Sequence, residues 1–476
     1  MLARATQNLL LVAGIVVLGA PVASAGGKAE CVEIPDVNRC PTWTARHDLP
    51  DAEGNARDDE AVATAMDPSG ARLYVAGNAS VDSMGVDILA LAPTTGLTLW
   101  STRVPGANAG LWYRHTLTVD PNGSTLYLLG RSDDANILVA ALDPATGDVR
   151  WATEYDGPSG GSDWGRDLAL SPDGRELYVT GSSEARAGDL VLLAFSASDG
   201  ALRWTVRYRG PESNSYDIGH SVDVSPDGGR VFVTGRSSGN SSIDLMTLAY
   251  DVPGDDEDPS PTWAWVRRFI PYTNAGLSAR VGLDVSADGS RVVMSGEGFN
   301  NFWTIAYDAA TGQKLWSDEL RGTQLSDGWA STLDESIVRI DGGRVFVAVS
   351  KAWDPGPLLA SYDLATGETL WTTRYLAGPP LESASMVLAP DGDTIYTLAS
   401  TMDAGYGASA AAFDASTGDQ VWVGRMNSAT EHIFGNDLAI SPSGNALFAT
   451  GSIRPLDYEG YLDAGTEDFL TWSYDL

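Results

Sequence analysis

One unit recurs along most of the chain, and it is clearest between Asp167 and Trp204. Leu168-Ala-Leu-Ser-Pro-Asp-Gly174 alternates and then turns, and Glu176-Leu-Tyr-Val-Thr-Gly181 follows as a second strand. Asp189-Leu-Val-Leu-Leu-Ala-Phe195 is a third, and Ser198-Asp-Gly200 turns into a fourth, Ala201-Leu-Arg-Trp204-Thr-Val-Arg-Tyr208. Proline and glycine mark the turns because one fixes φ and the other tolerates positive φ. The first turn recurs as Asp67-Pro-Ser-Gly70, Asp120-Pro-Asn-Gly123, Ser225-Pro-Asp-Gly228, Ser286-Ala-Asp-Gly289, Asp341-Gly342, Ala389-Pro-Asp-Gly392 and Ser441-Pro-Ser-Gly444. A later turn, as in Ala310-Thr-Gly312 or Ala365-Thr-Gly367, leads each time to a tryptophan: Trp100, Trp151, Trp316, Trp371 and Trp422, with Trp263 or Trp265 after an acidic insertion, Asp255-Asp-Glu-Asp258. A period of about fifty residues built from four short strands points to a closed ring of sheets and not to a helical solenoid.

The last copy ends at Leu476 without a fourth strand, whereas Thr42-Trp43-Thr-Ala-Arg46 has the fourth-strand pattern and stands before the first complete unit. The expected fold is therefore an all-β, eight-bladed β-propeller of four-stranded antiparallel blades. Its N-terminal strand pairs with the C-terminal blade, so that no broken blade is left with a bare edge. Residues 42–476 form this single domain, although 476 residues would by length alone suggest two or three.

The N-terminus reads as a secretory signal over residues 1–25. Arg4 precedes an apolar run from Leu9 to Ala20, and Val22-Ala23-Ser24-Ala25 offers small residues for cleavage after Ala25. The run is too short for a mature membrane span. The expected location is outside the cytoplasm, extracellular or periplasmic. Segment 26–41 holds the only two cysteines, Cys31 and Cys40, which in an oxidising compartment are expected to form a disulfide. Formal net charge is −33, from 63 acidic and 30 basic residues, which argues against a nucleic-acid partner and for a soluble, self-repelling monomer.

The turn that leads to each tryptophan resembles the pyrroloquinoline-quinone (PQQ)-type repeat of quinoprotein dehydrogenases. Similar repeats occur in the non-catalytic outer-membrane-assembly propeller lipoprotein. Trp204-Thr-Val-Arg-Tyr-Arg-Gly-Pro211 and Trp371-Thr-Thr-Arg-Tyr375 are also similar to repeats of secreted bacterial propellers of uncharacterised function. The resemblance covers about residues 42–476 and implies fold more than chemistry. In the dehydrogenases the quinone sits against adjacent cysteines with calcium nearby. Cys31 and Cys40 are not adjacent and precede the first blade, so neither PQQ nor any other cofactor is expected. The tryptophans are read as packing anchors whose N–H finds a carbonyl.

Ligands of propellers meet the mouth of the central channel. Counting six residues back from the first-turn proline gives Val62, His115, Arg166, His220, Val281, Asp334, Ala384 and Asn436. His115, Arg166, His220, Asp334 and Asn436 make a polar ring that serves either as a binding site or as a wet channel mouth. The loops entering the same strands carry Trp112, Tyr113, Trp164, Tyr216, Trp329 and Phe434, with Asp163, Asp217 and Asp327 beside them. Aromatics over polar groups suit a protein, peptide or carbohydrate ligand; otherwise each ring packs under its own loop. Asp48 to Glu60 is rich in carboxylates of the kind calcium takes, but it lacks the EF-hand order and reads as a solvated acidic loop, with no metal site assigned. No nucleophile elbow and no phosphate-cradling loop occurs. The leading expectation is a non-catalytic binding or scaffolding module; the alternative is an extracellular hydrolase, lyase or PQQ-type oxidoreductase using the polar ring.

Overall fold

The computed structural model describes residues 39–47, 58–80, 85–105, 107–108, 117–183, 188–211, 216–238, 243–253, 260–270, 281–298, 301–320, 335–350, 357–374, 385–401, 407–428, 430–455 and 467–476. They form eight antiparallel sheets, arranged as an eight-bladed β-propeller. Blades 1 to 7 span Asp58–Pro105, Ala107–Tyr155, Asp163–Tyr208, Tyr216–Phe269, Gly282–Leu320, Glu335–Arg374 and Ser385–Asn427. Blade 8 combines Glu431–Ile440, Ala446–Pro455 and Asp468–Asp475 with the N-terminal strand Trp43–His47. Within each blade the strands pair in sequence order, and the first strands of successive blades touch one another, so they line the central channel. In blade 2 this inner strand is split into Ala107–Asn108 and Leu117–Val119, both pairing with Leu126–Ser132.

The apolar core is eight layers, one in each seam between blades. One cluster joins Val62, Tyr74 and Ile88 of blade 1 to Leu126, Leu138 and Leu142 of blade 2, and the other seven seams repeat the arrangement. This explains why the middle strands read as continuous apolar runs: both of their faces are covered by a neighbouring blade.

The repeated tryptophan sits on the fourth strand and locks its blade to the next. The indole N–H donates to the next blade's turn at Trp43 to Pro93 O (2.8 Å), Trp100 to Pro144 O (3.1 Å), Trp151 to Ala197 O (3.2 Å), Trp265 to Ala309 O (3.0 Å), Trp316 to Leu364 O (2.9 Å) and Trp371 to Ala415 O (3.1 Å). The turn glycine is required by both backbone and packing. Gly367 has φ +74°, and a Cβ there would lie 2.5 Å from the Trp316 ring. The aspartate that opens the turn caps it, as Asp363 Oδ1 accepts from Thr366 N and Thr366 Oγ1, both at 2.8 Å. The arginine three residues after the tryptophan pairs in four blades with an aspartate among the first three residues of the third strand. Such pairs are Arg103 with Asp87, Arg207 with Asp189, Arg268 with Asp244 and Arg46 with Asp468.

Closure follows the sequence expectation. Trp43 faces Ser473 and His47 faces Phe469 in an antiparallel ladder. Thr42 N donates to Ser473 O at 2.7 Å, and Arg46 also reaches Glu431 at 2.7 Å. Among the described residues no helix is long and apolar enough to cross a membrane, and no cysteine is free. Residues 1–25 and Cys31 lie outside the described residues.

Candidate binding face and central channel

The connections divide sharply between the two faces of the ring. On one face the chain turns tightly, through the positive-φ glycines Gly70, Gly123, Gly174, Gly228, Gly289, Gly392 and Gly444 between first and second strands. Five of the six connections of ten or more residues leave the other face: residues 48–57 into blade 1, 270–281 into blade 5, 321–334 into blade 6, 375–384 into blade 7 and 456–467 within blade 8; the sixth, 252–261 within blade 4, leaves the tight-turn face. Long loops on a rigid scaffold are where recognition concentrates.

Of the sequence candidates, His115, Asp334, Trp112 and Trp329 lie outside the described residues, as do Tyr113 and Asp327. Arg166, His220 and Asn436 share one structural feature. Each is the extra residue of a β-bulge in its inner strand, as is Val62. The register slips between Gly165 and Asp167, between Gly219 and Ser221, and between Gly435 and Asp437. A bulge breaks the period of two and re-aims the side chain, so none of these residues shares a strand face with the residues two and four positions on. In blade 6 the first turn is two residues shorter, Asp341 facing Arg344 directly, so the strand register puts Ser336 and not residue 334 at the matching position.

Two of the bulge side chains bind neighbouring blades to one another. Asn436 Nδ2 donates to Ala61 O at 2.8 Å, from blade 8 to blade 1. His220 Nδ1 accepts from Val281 N at 3.1 Å, from blade 4 to blade 5, which places its ring proton on Nε2 if the imidazole is neutral. The aromatic candidates divide. Trp164 is half-buried, with the Arg131 guanidinium over its ring at 3.7 Å. Tyr216 is half-buried, and its N–H donates to Ser238 Oγ at 2.9 Å. Phe434 packs against buried His432 with ring centroids 3.8 Å apart. The two aspartates beside these rings are buried and hold the incoming loops, Asp163 accepting from Gly157 N and Asp217 from Gly210 N, both at 2.7 Å. Asp58, Asp59 and Glu60, read from sequence as part of an acidic loop, belong to the inner strand of blade 1, with Asp59 fully buried. No group of three or more His, Cys, Asp or Glu placed to hold a metal occurs among the described residues.

Sequence reasoning missed a second set of groups, the carboxylates one and three residues before the end of the inner strands. An inner strand is the edge of its sheet, so its outward amides need partners. The preceding blade supplies them. Asp167 Oδ2 accepts from Ser221 Oγ (2.8 Å) and Val222 N (2.9 Å), and Asp223 Oδ2 accepts from Val285 N (3.0 Å). Asp284 Oδ2 accepts from Ile340 N (2.5 Å), and Asp437 takes Thr64 N (2.9 Å) with one oxygen and Ser385 Oγ (2.9 Å) with the other. Asp167, Asp223 and Asp284 thus form a ladder from blade 3 to blade 6, where Arg339 faces it. Burial pushes Asp167 up to about 7, against the pull of its three hydrogen-bond donors and Arg339. Burial, and then the adjacent Asp284 carboxyl, push Asp223 up to about 7, and burial raises Asp284. The signal in sequence was a charged residue at an otherwise apolar inner-strand position.

A model of the family described as outer membrane protein assembly factor BamB matches residues 55–185 and 267–455. No curated protein sequence matches. Three solved structures share the fold. The Dos1 propeller has 11% identity and a TM-score of 0.54, over 91% of this chain and 95% of that one. Chaetomium thermophilum Sqt1, bound to the N-terminus of ribosomal protein L10, has 12% identity and a TM-score of 0.57, over 88% and 97%. A europium-containing methanol dehydrogenase has 12% identity and a TM-score of 0.52, over 86% and 89%. With more than half of its length matched by one family model and its blades built on one repeated tryptophan-bearing unit, the chain belongs to the PQQ-like propeller family described as outer membrane protein assembly factor BamB.

Proposed function

We propose that this protein is an exported, monomeric, non-catalytic propeller that binds or scaffolds a protein, peptide or carbohydrate through its long-loop face, with no resident cofactor. One observation carries the reading: five of the six connections of ten or more residues leave one face of a ring that is otherwise tied together by repeated locks. The bulge residues support it. His220 and Asn436 make hydrogen bonds between blades, which is the work of a scaffold. Membership of the assembly-factor family points the same way.

A photo-crosslinking amino acid placed in the native host tests this. Positions 112, 164, 216 and 329 sample the loop face, and positions 69, 122 and 391 sample the tight turns. The expected result is discrete adducts from the first group alone. Adducts confined to the turn positions, or equal from both, would refute the assignment of the face.

The second reading is an extracellular hydrolase, lyase or oxidoreductase, and the Asp223–Asp284 pair favours it, since two adjacent carboxyls with raised pKa values are suited to proton transfer. An enzyme of this kind loses turnover with Asp284→Asn or His115→Ala, whereas the loop-face module keeps its adducts with both.

A further inference from the structure

The seam between blades 3 and 4 departs from the repeat. Trp204 occupies the locking position and is 6% exposed, yet its Nε1 has no hydrogen-bond partner. The turn that supplies the acceptor elsewhere is replaced in blade 4 by the stretch that includes Asp255-Asp-Glu-Asp258. In the same layer the Tyr250 hydroxyl is buried and also has no partner. Both belong to one apolar cluster, against which Tyr208 and Val252 pack. Over this cluster lies Trp263, the most exposed tryptophan among the described residues at 46%. Its ring stacks on Tyr208 (centroids 5.8 Å, planes 20° apart) and meets Tyr250 edge-on at 5.2 Å.

We propose that this seam is a docking site for an extended, proline-rich, basic peptide segment of a partner protein. A polyproline II segment carries no internal hydrogen bonds, so its carbonyls are free to accept, and its proline rings lie flat on aromatic side chains. Tyr208, Trp263 and Tyr250 supply the rings. The Trp204 N–H and Tyr250 O–H are donors with nothing to donate to, and a buried donor left unmade is costly enough that a ligand carbonyl is drawn to it. Trp263 lies edge-on against Tyr250 and moves off it as the peptide enters. Basic residues in the ligand are selected by the net charge of −33. This site is on the side of the ring and does not depend on the loop-face reading.

Isothermal titration calorimetry with the mature protein tests it. The probe is a synthetic peptide of Arg-Pro-Pro repeats, compared with Glu-Pro-Pro repeats, Arg-Gly-Ser repeats and a β-linked oligosaccharide. The expected result is binding of the Arg-Pro-Pro peptide alone. Trp263→Ala should weaken it by about tenfold or more, as removal of an aromatic anchor does. Tyr250→Phe should weaken it about three- to tenfold, the effect of one hydrogen bond. Trp263 is exposed, so its alanine variant folds whatever becomes of the Tyr250 variant. No heat with any peptide, equal affinity for Arg-Gly-Ser repeats, unchanged affinity in Trp263→Ala, or binding of the oligosaccharide instead would each overturn the proposal.

Discussion

Trp316→Phe and Trp204→Phe form a matched pair that isolates the contribution of one interblade hydrogen bond. Both tryptophans are buried at the locking position, 8% and 6% exposed. Both pack against a tyrosine, with centroids 5.9 Å and 5.7 Å apart and planes at 32° and 37°. They differ in that Trp316 Nε1 donates to Leu364 O at 2.9 Å and Trp204 Nε1 donates to nothing. Replacing either ring by phenylalanine removes a similar apolar area, a loss of about 1 kcal/mol at roughly 25 cal/mol per Å². At Trp316 the change also leaves a buried carbonyl unpaired, a further cost of about 1–2 kcal/mol. Trp204→Phe loses no bond and removes a buried, unsatisfied N–H. We therefore expect Trp316→Phe to be the more destabilising by about 1–2 kcal/mol. Equilibrium urea unfolding of the two variants side by side reads this difference, since their common m-value cancels. Equal losses within about 0.5 kcal/mol, the scatter expected of independent sites, would refute the account of the lock and of the open donor at Trp204.

Further outcomes follow from the channel, the closure and the N-terminus. Asp167 and Asp223 have folded pKa values of about 7, above the ordinary carboxylate value, so the stability they contribute is full below about pH 4 and is lost as pH rises through 7. Buried His47 and His432 are held down to about 4 by burial, so their contribution is full above about pH 6.5 and is lost only as pH falls toward 4. Of these groups only the aspartates change charge between about pH 6.5 and 8. There the melting temperature should fall, and Asp223→Asn should flatten the slope; a melting temperature that rises with pH would contradict the raised values. Arg46→Met strips charge partners from nearly buried Asp468 and from Glu431, and should cost about 2–3 kcal/mol in urea unfolding. Deleting residues 42–47 should lower the melting temperature far more than deleting as many residues from any loop, and an unchanged melt would defeat the closure model. The mature chain should weigh two hydrogens less than the reduced chain, from a Cys31–Cys40 disulfide, and reduction should cost about 2–3 kcal/mol, the low end of the usual range, since the loop is short; free thiols on alkylation under denaturing conditions would remove the bond from the account.

The ring was legible in the sequence because its parts are local. Each turn carries its own proline and glycine, each fourth strand its own tryptophan, and the fourth-strand pattern at Trp43 needed only to be matched with its absence after Leu476. The site was less legible because it depends on register. A bulge at His220 or Asn436 leaves no mark that counting can find, and a turn two residues shorter at Asp341 moved the matching position in blade 6. The carboxylate ladder was visible as charges at Asp223 and Asp284. Its purpose, to satisfy the edge amides of Val285 and Ile340, depends on which blade stands beside which, and no single repeat contains that.

The closing strand has a consequence for the order in which the protein is made. Trp43–His47 leaves the ribosome before any blade, and its partner Asp468–Asp475 leaves after the other seven blades. Through the whole of synthesis the growing arc has two unfinished ends, one a single strand without a sheet and the other a blade without its outer edge. The chain thereby carries its own edge protection at the front, held in reserve until the final strand arrives to receive it. An arc that loses its front segment before then has no second means of covering that edge, and the first complementary strand it meets on another molecule takes the place.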